Sequence, residues 1–295
     1  MIAFIINPIS GGVSPDAARA RAELASTIVD RQGDPAEVFV TERQGHAREL
    51  TKAAVARGAR LVMAWGGDGT INEVASTLAF GAVPLGIVPA GSGNGLARQL
   101  SVSAEPAMAI RRAIGAAPRR IDVGELDDRL FVNVAGIGFD AHVAWKFNDA
   151  ASRRRGLVTY AAIAGRALMN YEPATYTIRT ELEGERCAPV RAVLVTVANS
   201  SEFGNGAIIA PGAKIDDGEL DLVVIEEHSR LNTIIQLPRL FQGTVDRAKG
   251  CSIRRIKRAT IESDRPMVYH VDGEPVQGGL SLRVRIHPLA LYVAV

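Results

Sequence analysis

The chain has 295 residues, 47% of them hydrophobic and 22% charged, with a formal net charge of +2 at pH 7. A chain of this length can bury the core of one large or two ordinary domains, and its composition excludes an intrinsically disordered protein. Because positive and negative charges nearly balance, we expect no nucleic-acid partner, which a strong basic excess would favour.

Two features favour a cytoplasmic protein. The first apolar run, residues 2–6, has no basic segment before it and ends at Asn7. It is therefore too short for a signal peptide or a membrane-spanning helix. Cys187 and Cys251 match no metal-ligand spacing and need not pair, which suits a reducing compartment.

Strand and helix patterns alternate over the first 120 or so residues. Strands are predicted at 2–6, 37–41, 61–64 and 83–89. Helices are predicted after Pro15, which suits a first helical turn, at 47–57, where Gly58 ends the pattern, and at 104–114. Successive β-α units of this kind predict a parallel sheet covered by helices.

The loop at 65–70, Trp-Gly-Gly-Asp-Gly-Thr, places an acidic residue among glycines directly after a strand. Glycines let backbone N–H groups close around phosphate oxygens, and the start of the following helix adds the positive end of its dipole. Because bare phosphate would repel Asp68, we expect a divalent cation between them. A structural alternative exists, since Thr70 and Glu73 have the spacing of a helix capping box.

Two further turns favour the nucleotide interpretation. After the strand at 83–89, the next turn places Ser92 and Asn94 among glycines, where short polar side chains suit phosphate or ribose contacts. After the first strand, a third polar turn runs from Asn7 to Gly11 and Gly12. Turns that follow parallel strands emerge at the carboxyl edge of the sheet, where open α/β sheets bind ligands. The sequence therefore predicts a ligand site at that edge.

From Arg120 onward the pattern changes to short strands. They are predicted at 131–134, 175–180, 190–198, 220–225, 252–261 and 282–286, with helical stretches near 156–170 and 231–242. This pattern favours a mostly antiparallel β domain. The arginine run at 153–155 precedes an apolar stretch and could contact anionic headgroups, although such runs more often form a solvated face.

Taken together, these residues resemble the diacylglycerol kinase catalytic family, in the bacterial lipid kinase branch that is related to sphingosine kinases. The matching segments, in chain order, are 7–12, 41–47, 66–73, 89–98, 133–140, 211–221 and 272–274. The resemblance implies ATP-dependent phosphorylation of a lipid hydroxyl by a two-domain enzyme. An α/β nucleotide-binding domain would occupy 1–122, and the segment 288–295 would return to it. A β-sandwich domain for the lipid substrate would occupy 123–287.

The resemblance implies two catalytic residues, Glu274 as the base that accepts the lipid hydroxyl proton and Asp68 in the phosphate loop. From the residues alone, the Asp-Gly-Glu sequence at 272–274 favours a tight turn between two strands with an exposed glutamate. Phosphoryl transfer depends mainly on positioning, metal-assisted charge neutralisation and a base near the attacking hydroxyl.

The glycine turns and the resemblance together predict a nucleotide site at the strand ends. Its expected members are Asn7, Pro8, Gly11, Gly12, Thr41, Gly66, Gly67, Asp68, Gly69, Thr70, Asn72, Glu73, Gly91, Ser92 and Asn94. We expect His46 to order this loop or to cap local structure rather than to act as an acid or base. The other histidines show no triad or ligand spacing.

The turn at 211–221 is acidic and rich in oxygen atoms, which hard cations such as Mg²⁺ prefer, although it could also be a solvated turn. The resemblance implies a magnesium site here. Asp217 would contribute its carboxylate, and Lys214 and Glu219 their backbone carbonyls. Asp122 would connect this metal to the Asp68 loop through water.

The expected cofactors are ATP and Mg²⁺, and the expected partner is a lipid at the membrane surface. We expect a cytoplasmic protein that associates with the membrane transiently and peripherally, and a homo-oligomer is left open. NAD kinase, which shares a Gly-Gly-Asp-Gly-Thr loop, and a non-catalytic nucleotide or lipid sensor of the same fold are the alternatives. The segments 89–98 and 272–274 favour the lipid branch. Retention of Asp68, Asp217 and Glu274 argues against the sensor.

Overall fold

A computed structural model of the chain describes residues 1–11, 15–30, 33–150, 170–181, 188–204, 206–229, 236 and 238–295. The chain divides into two compact units, Met1–Ile121 with Leu289–Val295, and Asp122–Pro288. Several predicted features lie outside the described residues: Gly12, Cys187, the arginine run at 153–155, most of the helical stretch near 156–170 and much of the one at 231–242.

The first unit is built on a parallel sheet. Its strands are β1 (Ile2–Ile6), β2 (Ala36–Val40), β3 (Leu61–Gly66) and β4 (Leu85–Pro89), in the spatial order β4-β3-β1-β2. The helices are α1 (Pro15–Asp30), α2 (His46–Ala56), α3 (Asp68–Leu78), α4 (Gly95–Gln99) and α5 (Pro106–Gly115). The predicted β-α alternation is therefore confirmed, with boundaries shifted by a residue or two.

Helices cover both faces of this sheet. On one face, Ile2, Phe4 and Ile6 of β1 pack in one buried cluster with residues of α1 and α5. The intervening residues Ala3 and Ile5 are equally buried, and α2 and α3 lie against β1 and β3. Fully burying an Ile or Phe side chain contributes roughly 1.5–3 kcal/mol, so this sheet is a rigid support. With both faces covered, the strand ends remain for a ligand.

The second part of the chain is rich in antiparallel strands. They are β5 (Arg119–Leu126), β6 (Arg129–Phe131), β7 (Val134–Gly138), β8 (Ala174–Thr180), β9 (Val190–Ala198), β10 (Glu202–Gly204), β11 (Ala207–Ile208), β12 (Leu220–Glu226), β13 (Cys251–Ile256), β14 (Arg258–Ser263), β15 (Val268–Val271), β16 (Glu274–Gln277) and β17 (Ser281–Val293). Helices α6 (Phe139–Ala150) and α7 (Pro238–Phe241) and a 3₁₀ turn at Val245–Arg247 complete the described elements. The predicted fold class, an N-terminal parallel sheet followed by a mostly antiparallel β domain, is confirmed.

Three strands differ from their predictions. The strand predicted at 131–134 is instead the junction of two strands, because Phe131 ends β6 and Val134 begins β7. The strand predicted at 252–261 is two strands, β13 and β14, separated at Lys257. The Lys257 carbonyl accepts the N–H of Ile286 at 2.9 Å, so the chain leaves one pairing there and enters another. The strand predicted at 282–286 extends over Ser281–Val293 as β17. Its first part pairs antiparallel with β14, and Val293 near its end pairs in parallel with Leu85 of β4.

Among the described helices, none combines the length and the apolar character that crossing a membrane requires.

Candidate active site

The loop after β1 is tied to the turn between β3 and α3. The Asn7 side-chain amide donates to Thr70 Oγ1 at 2.9 Å, and the N–H of Gly67 donates to Ser10 Oγ at 3.2 Å. Gly11 follows with a φ of 81°, a left-handed conformation that favours glycine. The first two glycine turns of the sequence are thus brought together at the carboxyl edge of the parallel sheet, as predicted.

Arg21 of α1 holds the backbone of the loop after β1 by hydrogen bonds to two carbonyl groups. Its guanidinium donates to the carbonyl of Asn7 at 2.7 Å and to that of Ser10 at 3.0 Å. It also lies over the ring of Trp65, 5.7 Å from the centroid, and burial lowers its pKa. Sequence reasoning missed Arg21, which lies outside the glycine turns, and it assigned no role to Ser10, although Ser10 belongs to the turn at 7–12.

The carboxylate of Asp68 connects the β3–α3 turn to the loop after β4. Its Oδ2 accepts the N–H of Asn94 at 2.9 Å, and its Oδ1 accepts the N–H of Gly95 at 2.8 Å. Asp68 therefore caps the start of α4 from a neighbouring loop. Asn94 has a φ of 52°, and its side chain exchanges two hydrogen bonds with the backbone of Gly91. The two loops thus form one hydrogen-bonded assembly.

The glycines of these loops are required by close approach of backbone to backbone. A Cβ on Gly91 would lie 2.7 Å from the Cα of Gly67, and a Cβ on Gly66 would lie 2.6 Å from the side chain of Thr70. No side chain fits at either distance without moving one of the loops. The glycine pattern that predicted phosphate binding therefore also lets the loops touch.

Glu73 connects α3 to the loop after β2. Its Oε1 accepts the N–H of Gly45 at 2.7 Å and its Oε2 the N–H of Ala47 at 3.0 Å, so this buried carboxylate caps α2. His46 Nδ1 accepts the N–H of Glu42 at 3.1 Å, a local contact of the kind expected. The capping-box alternative is wrong, because α3 has Gly67 as its N-cap and Glu73 serves a different helix.

The remaining predicted nucleotide residues are placed at the same edge or next to it. Thr41 is buried, and its N–H donates to the Ile6 carbonyl at 2.8 Å, while Asn72 is buried within α3 and accepts from Ser76 Oγ at 3.4 Å. Ser92 is exposed at the tip of its loop. Pro8 and Gly69 are partly buried in the same turns. Apart from Gly12, all the predicted members thus belong to these loops or their supports.

In the second unit, the buried carboxylate of Asp122 supports the acidic turn. Its Oδ2 accepts the N–H of Gly218 at 2.7 Å, and its own N–H donates to the carbonyl of Ile215 at 2.6 Å. The side-chain amide of Asn199 donates to the Asp122 carbonyl at 3.0 Å. Asp122 therefore shapes the turn that contains Asp217. The water-mediated role implied for it remains a prediction.

The acidic turn carries more negative than positive charge at its surface. Arg255 lies 3.3 Å from Glu219 and 4.0 Å from Asp217. The pKa of the nearby Asp221 carboxyl is raised to about 6, mainly by burial; Arg255 lowers this pKa, and the charges of Asp217 and Glu219 raise it. Within the described ranges, no group of three or more His, Cys, Asp or Glu side chains is arranged around a metal site. The donor set fits Mg²⁺ through one carboxylate and backbone carbonyls, which are hard oxygen ligands.

Glu274 begins β16, directly after a two-residue hairpin turn. Asp272 and Gly273 have φ values of 47° and 85°, the left-handed pair of a type I′ turn. The Asp272 carboxylate accepts three backbone N–H groups, from Val132, Asn133 and Val134, at 2.9–3.0 Å. The turn is therefore anchored, and Glu274 is partly buried rather than an exposed turn residue. The anchoring role of Asp272 could not be read from the sequence, because its partners are about 140 residues away.

Comparison with known proteins identifies the class to which this fold and site belong. Residues 1–126 match the family model described as the diacylglycerol kinase catalytic domain. Residues 133–295 match the one described as the YegS C-terminal NAD kinase beta sandwich-like domain. Together the two matches define a kinase of lipid-like substrates. The chain belongs to the YegS-like lipid kinase family, and its kinase activity follows from that membership.

Similar proteins support this family assignment. A probable lipid kinase YegS-like of Chromohalobacter salexigens is 34% identical over 233 residues, which is 78% of this chain and 73% of the relative. A diacylglycerol kinase of Mycobacterium tuberculosis is 30% identical over 282 residues, covering 92% of this chain and 88% of the relative.

Solved structures show the same fold. A putative diacylglycerol kinase from Bacillus anthracis matches with a TM-score of 0.78 and 21% identity, covering 99% of this chain and 94% of that chain. An NAD kinase from Archaeoglobus fulgidus matches more distantly, with a TM-score of 0.56 and 12% identity, covering 100% and 94%. At these identities the likeness extends to the fold alone.

Proposed function

We propose that the protein transfers the γ-phosphate of ATP to the hydroxyl of a diacylglycerol-like or sphingoid lipid, in a Mg²⁺-dependent reaction with Glu274 as general base. In this proposal, residues 1–122 with 288–295 form the nucleotide-binding domain, and residues 123–287 form the lipid-substrate domain. The observation that carries the proposal is the hydrogen-bonded assembly of glycine loops at the carboxyl edge of the parallel sheet.

The loop assembly suits nucleotide phosphates. Gly67 caps α3 without a side chain, so the start of this helix presents backbone to an approaching anion. Asn7, Thr70 and Ser10 fix the loops around it, which reduces the ordering cost of binding. The Archaeoglobus fulgidus NAD kinase, a fold neighbour, was determined in complex with ATP, which supports the choice of nucleotide.

The acidic turn is the proposed magnesium site. Asp217 would hold the ion by its carboxylate and Lys214 and Glu219 by their carbonyls, with Asp122 fixing the turn through the N–H of Gly218. Bound Mg²⁺ supplies charge neutralisation for a site that otherwise has an excess of carboxylates.

In the chemical step, Glu274 accepts the proton of the lipid hydroxyl. The hydroxyl oxygen forms a bond to the γ-phosphorus, and the bond from this phosphorus to the bridging oxygen breaks. ADP leaves with the electron pair of that bond. The anchored hairpin suits the role of Glu274, because a base must be held within hydrogen-bond reach of the proton that it removes.

The lipid substrate implies that the protein works at a membrane surface. We propose a cytoplasmic enzyme that associates with the membrane transiently and peripherally.

The test is transfer of radiolabelled γ-phosphate from ATP to a panel of diacylglycerol, sphingoid bases, phosphatidylglycerol and NAD, with Mg²⁺ and with EDTA. Mg²⁺-dependent labelling of one lipid class is the expected result. Labelling of NAD alone would assign the NAD kinase alternative. ATP binding with no labelled product would favour the sensor. Full labelling of a lipid in EDTA would contradict the magnesium requirement.

A further inference from the structure

Three neighbouring strands, β15, β7 and β9, contribute paired residues near the hairpin that contains Glu274. His270 of β15 is paired with Gly136 of β7, and Gly136 is paired on its other side with Thr196 of β9. His270 and Thr196 are buried. The glycine between them leaves a space that a side chain on the central strand would fill.

The carboxylate of Asp140 occupies this space. Asp140 is the second residue of α6, which begins directly after β7. A Cβ on Gly136 would lie 1.8 Å from Asp140 Oδ2 and 2.6 Å from His270 Nε2, so this arrangement requires glycine. Asp140 Oδ1 accepts the N–H of Ala141 at 2.8 Å, while Oδ2 lies 3.3 Å from both His270 Nε2 and Thr196 Oγ1.

The hydrogen bonds of His270 define its tautomer. Its Nδ1 accepts the N–H of Gly273 at 3.2 Å and therefore carries no proton. The ring proton of the neutral imidazole is then on Nε2, which donates to Asp140. A chain of contacts thus runs from the Asp140 carboxylate through His270 to the peptide between Asp272 and Gly273. Glu274 is the next residue.

We propose that His270, oriented by Asp140, is a positioning residue that holds the carboxylate of Glu274 where it meets the lipid hydroxyl. This inference rests on the proposed function of Glu274. Asp272 anchors the hairpin on one side through the backbone at 132–134. His270 holds the turn at its second residue by accepting the N–H of Gly273. A displacement of about 1 Å in a catalytic group can lower the rate by about 10²-fold, so loss of this contact should affect the chemical step.

Two substitutions of His270 separate its two contacts. In His270→Asn, the amide oxygen reaches the position of Nδ1 and can still accept the Gly273 N–H, but the side chain is too short to reach Asp140. In His270→Gln, the amide reaches the position of Nε2 and can donate to Asp140, but the Gly273 N–H loses its acceptor. His270→Asn therefore removes the contact with Asp140, and His270→Gln removes the contact with Gly273. Both substitutions introduce the same polar amide group.

Asp140→Asn tests the orientation of the histidine. The Ala141 N–H requires an oxygen acceptor, so the amide nitrogen of the new side chain must take the place of Oδ2 and face His270. The imidazole must then accept at Nε2 and carry its proton on Nδ1, which places two N–H groups opposite each other at Gly273. Replacing a carboxylate by an amide in this way forces the histidine into the wrong tautomer, which can lower the reaction rate strongly.

We expect His270→Gln and Asp140→Asn to lower kcat on the order of 10- to 100-fold, with the KM for ATP unchanged. His270→Asn should lower kcat less than His270→Gln does, because the Gly273 contact survives. In a Glu274→Gln background, His270→Gln should cause no further loss of kcat, since a residue that acts through Glu274 has nothing left to position. Equal losses in the two His270 variants, or the same loss with and without Glu274→Gln, would overturn the proposal.

Amide hydrogen exchange at Gly273 gives a measurement that does not depend on turnover. Protection should fall in His270→Gln and Asp140→Asn and should persist in His270→Asn, with thermal melting confirming that each variant is folded. Unchanged protection in all three variants would overturn the contact chain. A wild-type protein that labels no lipid, or a Glu274→Gln variant with full kcat, would overturn the proposed function, whereas the exchange data would still report whether His270 holds the turn.

Discussion

Asp68 is the residue at which substitution should most directly separate nucleotide binding from metal binding. Its carboxylate accepts the N–H groups of Asn94 and Gly95 at 2.9 and 2.8 Å. In Asp68→Asn, one of these two N–H groups faces an amide donor instead of an oxygen. A hydrogen bond to a charged group contributes about 1.5–3 kcal/mol. If an ordered loop is needed to bind ATP, the Kd should rise by roughly 10- to 100-fold, because 1.4 kcal/mol corresponds to a factor of ten.

The assay is calorimetric titration with ATP, once in EDTA and once in saturating Mg²⁺. An effect through the loop should raise the Kd by the same factor in both conditions, because the loop contacts involve no metal. Any additional loss in Mg²⁺ measures the share of Asp68 in binding the metal-nucleotide complex. Asp16→Asn is the matched control, since it makes the same charge change at an exposed position of α1. We expect the control to leave the Kd unchanged.

Two results would refute this reasoning. Wild-type affinity of Asp68→Asn in both conditions would show that the loop after β4 does not need its cap. Loss of affinity in Mg²⁺ alone would show that Asp68 acts through the metal and that its backbone contacts contribute little to nucleotide binding. Thermal melting of the variant close to that of wild type would confirm that the comparison is made between folded proteins.

Three further predictions concern the base, the metal and a loop support. Glu274→Gln should lower kcat by roughly 10²- to 10⁴-fold with ATP affinity unchanged, and retained kcat with altered lipid affinity would identify a positioning group instead. Mg²⁺ should raise the Tm of Asp217→Asn less than it raises the Tm of the wild-type protein, because a bound ion stabilises the folded state. If the melting curves of both proteins are the same in Mg²⁺ and in EDTA, the proposed metal site is wrong. Glu73→Gln should lower the free energy of unfolding by about 1.5–3 kcal/mol in urea titrations, since one N–H at the start of α2 loses its carboxylate acceptor; a midpoint equal to wild type would contradict this.

The glycine loops could be predicted from sequence because their information is local. A strand of buried residues, a glycine turn and a helical pattern are contiguous, so the carboxyl edge of the sheet could be identified without knowledge of long-range contacts. The same local reasoning failed for Glu73. Its spacing from Thr70 suggested a capping box, but its partners are Gly45 and Ala47, which precede it by more than 25 residues.

In the second unit, the strand boundaries depend on which strands pair, and the local sequence pattern does not show this pairing. The residues at 252–261 alternate well enough to predict one strand, yet β13 pairs with β12 while β14 pairs with β8 and β17. The break at Lys257 follows from this change of partner, which no local propensity encodes. The hairpin turn at Asp272 and Gly273 was predictable, because both residues tolerate the positive φ of a type I′ turn.

The contacts that sequence reasoning missed share one type of interaction. Asp68, Glu73, Asp122 and Asp272 each use a carboxylate to accept backbone N–H groups from a segment distant in sequence. The residue type shows that a side chain can accept hydrogen bonds, but the N–H groups that donate to it are known only from the fold. A carboxylate of this kind can be held in place by the loop that it orders, so substitution changes loop order and chemistry together. Activity alone therefore cannot assign these residues, and each amide variant needs its ATP affinity, its melting temperature and its kcat measured separately.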